Sequence, residues 1–180
     1  MYGMVNRAIV ELVTDKYGEN VCRRVLTKAG AGNGEYVSME QYDDGESVSL
    51  VVSSAEILDK SPAEMLEEVG EFWIDFALNS DYGDLLYMAG DTLPEVLTNL
   101  DALHVRVGES FPKLKPPSFW CTNIESNALI LHYVSERSGL SPMVLGLVKG
   151  LAKMLDIECM VSQTSFKDQG ADHDEFSVRF

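Results

Sequence analysis

The chain has 180 residues, 46% of them hydrophobic, which is enough for one well-buried core or two lobes around a cofactor. Its formal net charge of −15 disfavours nucleic-acid phosphates and anionic membranes, so proteins and small molecules are the expected partners. No segment approaches the roughly 20 apolar residues of a membrane span, and no charged-then-apolar export signal opens the chain, so a cytoplasmic location is expected. Cys22, Cys121 and Cys159 are odd in number and far apart, a pattern of reduced thiols and not of a disulfide framework.

Taken in order, Val5 to Tyr17 is amphipathic through Val5, Ile9, Leu12 and Val13 and stops at Gly18. A second helix is expected over about 20–29, ending in Gly30-Ala31-Gly32-Asn33-Gly34, a loop without the Lys-Ser/Thr of a phosphate-binding turn. Residues 36–60 read as two shorter helices. Ser61-Pro62-Ala63-Glu64 is a capping box for a helix whose buried side is expected to carry Met65, Val69, Phe72, Trp73 and Phe76. Thr92-Leu93-Pro94-Glu95 opens another, predicted to run unbroken to Val107. Within it, Leu93, Val96, Leu97, Leu100, Leu103 and Val107 form an apolar stripe that includes His104. An antiparallel pair over 119–125 and 127–137, a helix from Ser141 through Leu155, and strands over 157–166 and 175–180 complete an α+β chain. No repeat or linker divides it, so a single domain over 1–180 is expected, with a helical lobe over about 1–62 and a mixed lobe over 63–180.

Two places carry chemistry. In the strand Leu129 to Arg137, side chains alternate, so Tyr133, Ser135 and Arg137 share a face behind Leu129 and Leu131, with His132 and Glu136 opposite. An apolar wall ending in two hydroxyls and a guanidinium suits a ligand with a greasy body and acidic tails, haem among them. The same residues also suit a strand end with Arg137 in a surface ion pair. His104, inside its apolar stripe, reads as a core histidine held by hydrogen bonds or as a neutral imidazole able to bind a metal. One such ligand to a haem iron leaves the opposite face for a diatomic gas.

With these residues in view, the chain resembles the H-NOX (haem nitric oxide/oxygen-binding) domains, the module that also forms the haem domain of soluble guanylate cyclase. The likeness rests on Met1-Tyr2-Gly3-Met4-Val5-Asn6, Leu103-His104, Phe111-Pro112, Pro116-Pro117-Ser118-Phe119, and Tyr133-x-Ser135-x-Arg137 followed by Gly139-Leu140. It implies a four-stranded antiparallel sheet in the second lobe and ferrous haem b between the lobes. It further implies His104 as the proximal iron ligand, Tyr133, Ser135 and Arg137 at the propionates, Pro117 pressing on the haem, and Met4 beside the cofactor. Met143, in Met143-Val144-Leu145-Gly146, takes the place of the distal tyrosine of oxygen-holding members and has no proton to donate, while Trp73 is a further candidate for the gas pocket. The resemblance thus implies a non-enzymatic sensor of nitric oxide and carbon monoxide that excludes oxygen. Its output would be proximal histidine release and haem relaxation, passed to a separate effector such as a histidine kinase or a diguanylate cyclase. A passive haem or gas carrier and a haem enzyme are the competing readings. Some bacterial relatives hold zinc with several cysteines near the C-terminal end. With only Cys159 and His173 in that region, no structural zinc is expected here.

Overall fold

Two of the helix starts are fixed by their own side chains. The computed structural model describes residues 1–81, 83–110 and 113–180. In it, α4 (Pro62–Leu78) begins with a complete capping box between Ser61 and Glu64. α6 (Leu93–Thr98) begins where the Glu95 carboxylate accepts from the Asp91 and Thr92 N–H groups at 3.0 and 3.2 Å. Earlier in the chain, α1 (Gly3–Tyr17) and α2 (Glu19–Ala29) meet at Gly18, whose φ of 87° other side chains avoid. Residues 36–60 give one helix and not two: α3 (Asp44–Ile57), capped by Asp43, follows a segment tied to the N-terminus by a Tyr2–Gln41 bridge.

These helices enclose a first core around Ile9, Leu12, Val13, Leu50, Met65 and Val69. A second core forms where α6 and α8 (Ser141–Met154) pack on one face of an antiparallel sheet. The sheet runs β1 (Ser118–Thr122), β2 (Ala128–Val134), β4 (Asp174–Arg179), β3 (Met160–Ser165) in spatial order. Leu129, Leu131, Phe176 and Val178 face inward, each at most 1% exposed. The expected α+β class and four-stranded antiparallel sheet are therefore present. A short helix, α5 (Gly83–Tyr87), was not foreseen.

The cores are joined by α4, which gives Met65 and Val69 to the first and Ile74 to the second. Its buried side differs from the expected one. Met65, Val69, Gly70 and Ile74 are buried, whereas Phe72, Trp73 and Phe76 are half-buried. The cause is contact with α8 at backbone distance. A Cβ on Gly70 would lie 2.1 Å from the Met143 carbonyl oxygen, and one on Gly146 would lie 1.8 Å from that of Glu67. Only hydrogen fits there, so glycine fills the seam and the aromatics are displaced to its flanks.

Candidate functional site

The apolar run expected as one helix is two. It breaks at Asn99, whose side-chain amide donates to the Ala89 carbonyl at 2.8 Å, and α7 (Leu100–Ser110) continues beyond. In α6, Leu93, Val96 and Leu97 are at most 1% exposed. α7 buries no described residue so deeply: Leu103, His104 and Val107 are half-buried and Val105 is 71% exposed. His104 therefore sits at the margin of the core and not inside it. Phe111 and Pro112, the next part of the expected motif, lie outside the described residues.

His104 nevertheless has a buried ring nitrogen. Its Nδ1 is shielded from solvent and has no hydrogen-bond partner. Burial holds the imidazole below its ordinary pKa, with the Asp101 carboxylate opposing, so the neutral form, with a lone pair free, prevails at pH 7. The ring lies against Phe119, with centroids 5.9 Å apart, and Phe119 in turn against Tyr133 at 5.2 Å. Asp101, one turn before His104, accepts from the Phe119 N–H at 2.7 Å and so fixes β1 to α7. A cleft beside the histidine is lined by Leu114, Pro116 and Pro117. The sequence reading missed Asp101, although its place three residues before His104 on a helix was the available signal.

The anion-binding group is assembled differently from expectation. β2 ends at Val134, so Ser135 and Arg137 do not continue its face. Instead the Ser135 hydroxyl accepts from the Arg137 N–H at 3.0 Å, a local turn that replaces the strand ladder. Tyr133 and Ser135 are buried and Arg137 is half-buried. Burial raises the Tyr133 phenol, while the Ser135 hydroxyl and the Arg137 charge pull it down. Arg137 Nε donates to the Asp44 carboxylate at 2.7 Å, and its Nη1 to the Lys115 carbonyl at 3.1 Å. That guanidinium, with the Met1 amine, holds the Asp44 carboxyl below the usual carboxylate range. Of the two arrangements expected, the surface ion pair is the one seen: Arg137 holds the Asp44 carboxylate at the start of α3 through Nε, while Nη1 serves the Lys115 carbonyl. Lys167, unremarked in the sequence, donates to the Ser135 carbonyl at 3.0 Å.

The remaining candidates are on other elements. Met143 is half-buried at the start of α8 and packs on the helical-lobe core. Met4 is half-buried near the start of α1, its N–H on the Ser38 carbonyl. Trp73 is half-buried on α4 against the second core, tilted over Phe76 at 5.7 Å. Burial raises the Cys121 and Cys159 thiols from their ordinary pKa, which keeps them protonated and unreactive.

Fold and site together define a two-lobed α+β protein with a histidine helix beside a cleft and a carboxylate-gripping arginine at the end of a sheet. The family model described as haem-NO-binding matches residues 2–163. The chain belongs to that family, the H-NOX haem-binding gas-sensor domains. It is 34% identical over 167 residues to soluble guanylate cyclase gcy-34 of Caenorhabditis elegans, covering 89% of this chain and 24% of that protein. To gcy-37 of the same organism it is 33% identical over 187 residues, covering 99% and 26%. The chain thus spans about a quarter of the length of these curated relatives. The H-NOX protein from S. oneidensis in the Fe(II)NO ligation state shares its fold, with a TM-score of 0.88 at 22% identity over 99% of this chain and 98% of that one. So does the Fe(II) unliganded H-NOX protein from K. algicida, with 0.84 at 22% identity over 99% and 96%. The unpartnered buried imidazole nitrogen of His104 fits the family's haem, and the cleft beside it is lined by Leu114, Pro116 and Pro117 together with Asp101 and Ser118.

Proposed function

We propose that this chain is a haem-based sensor of nitric oxide and carbon monoxide that does not hold oxygen and reports to a separate effector protein, a histidine kinase or a diguanylate cyclase. Ferrous haem b, held by the residues of this site, would supply the iron at which a diatomic gas binds. The observation that carries the reading is the buried, unpartnered Nδ1 of His104, a costly arrangement for a polar atom unless the ring serves a ligand. On this reading His104 holds the iron, Tyr133, Ser135 and Arg137 receive the propionates, and Pro117, which lines the same cleft, bears on the ring.

Selectivity follows from the side chains assigned to the gas pocket, Met143 and Trp73, with Met4 assigned beside the cofactor. Bound oxygen is polarised and gains from a hydrogen-bond donor, whereas nitric oxide needs none. Met143 offers only a thioether, a weak acceptor. Trp73 carries an N–H, and its half-buried place on α4 makes it the residue to vary should oxygen bind.

Signalling uses the division between α6 and α7. Were His104 to lose its ligand, α7, none of whose described residues is deeply buried, would be free to shift while α6 stays fixed and Asn99 serves as the joint. Such an element has two positions that a ligand can bias. The role assigned is sensing, without catalysis by this chain, and the cytoplasm is its assigned location. Among the described residues no helix is long and apolar enough to cross a membrane.

The test is spectroscopic. Purified protein is expected to show a haem Soret band, to change it with nitric oxide and carbon monoxide, and to form no stable oxygen spectrum in air. His104→Ala is expected to lose the band and to regain it with added imidazole. Full haem content in His104→Ala without imidazole would place the tether elsewhere.

A further inference from the structure

On the sheet face turned away from the core, Trp120, His132 and Glu175 stand in register across β1, β2 and β4. His173, which precedes β4, folds back onto them. The His132 Nδ1 and His173 Nε2 atoms are 2.8 Å apart, and each lies 3.4 Å from the same Glu175 oxygen, Oε1. Two imidazole nitrogens and a carboxylate oxygen thus form a small triangle. In a tetrahedral zinc site, bonds of about 2.0–2.1 Å put ligand atoms about 3.3 Å apart. Two sides of the triangle already have that length, and the third, a hydrogen bond between imidazoles, needs to open by about half an ångström.

We propose that His132, His173 and Glu175 form a binding site for a divalent transition ion of the zinc class, distinct from the haem site and independent of the gas-sensing reading. Imidazole nitrogen with one carboxylate is a donor set that suits zinc and leaves a fourth position open to water. The His132 ring is oriented for it. Its other nitrogen, Nε2, is 2.7 Å from the Thr122 hydroxyl, the outer partner that aligns a ligating histidine. Trp120 stacks flat on the same ring, with centroids 4.8 Å apart and planes 3° from parallel. The side chains of His173 and Glu175 are 23% and 35% exposed, which gives an ion access from solvent. The site contains no sulfur, so the lack of a cysteine cluster does not bear on it. An occupied site would tie the approach to β4 onto β2, the strand whose opposite face carries Tyr133.

The experiment is calorimetric titration of dialysed, haem-loaded protein with Zn²⁺, beside thermal denaturation with and without the ion. One equivalent is expected to bind saturably and to raise the melting temperature. His173→Ala and Glu175→Gln, changes at partly exposed positions, are expected to weaken binding by more than about tenfold with the Soret band unaltered, and Thr122→Val by about tenfold. Absence of saturable binding to the parent protein would overturn the site. So would binding that both variants retain, or that is abolished by Cys121→Ala or Cys159→Ala.

Discussion

α6 and α7 belong to one apolar repeat in the sequence and to opposite conditions in the fold. The six residues of α6 place three side chains at most 1% exposed into the sheet core, whereas among the described residues of α7 Leu100 and Leu103 reach that core half-buried. Both have leucine and valine at helical spacing. The difference is depth: α6 sets Leu93, Val96 and Leu97 wholly inside the sheet core, while α7 meets β1 at the margin, through Asp101 and His104 on Phe119, and borders the cleft beside Pro117. Shared periodicity therefore yields an anchor in one case and a carrier in the other, and the histidine is on the carrier.

The strongest way to break this contrast is to remove a leucine from each helix. Leu97→Ala, in a fully packed position, is expected to cost about 2–5 kcal/mol in urea denaturation, whereas Leu103→Ala on the half-buried face should cost less than half as much. Equal losses would mean that α7 is seated as firmly as α6. A smaller effect is expected from Asp101→Ala, which deprives the Phe119 N–H of its acceptor: about 1.5 kcal/mol, with faster amide exchange at Phe119. Asp101→Asn keeps an acceptor oxygen and should recover most of that loss. The smallest effect concerns the tie between lobes. Because the folded-state pKa of Asp44 is depressed by Arg137, its contribution is complete above the unfolded value near 3.8 and disappears as pH falls through the lower folded value. The side chain is half exposed, so Asp44→Asn should cost less than about 1 kcal/mol. That cost should be constant between pH 5 and 8 and should vanish in strong acid.

Much of the fold is legible because local signals enforce it. Gly18 and the boxes at Ser61 and Thr92 mark helix ends through atoms a few residues apart. Runs of apolar, β-branched and aromatic residues locate all four strands. The misreadings occur where distant contacts override a local pattern. The Asn99 break follows from a bond to Ala89, in a segment whose apolar spacing continues without interruption. β2 stops at Val134 because Ser135 turns the chain with its own hydroxyl, so Ser135 and Arg137 come to Tyr133 by a turn and not by alternation. The aromatics of α4 yield its inner side to glycine, which an apolar-face argument undervalues. His132 and His173 were separately visible, but their contact depends on the β2–β4 register and spans 41 residues of sequence.

The glycine seam between α4 and α8 bears on how the protein can be divided. A cut after residue 62, between the helical and mixed lobes, would leave Met65 and Val69 on the wrong side of the first core and would strip that lobe of a wall. A cut after α4 would instead leave Gly146 and Gly150 facing water, two backbone surfaces shaped for a helix that had gone. The two cores thus share walls, and a sensor assembled from separately expressed halves is expected not to form.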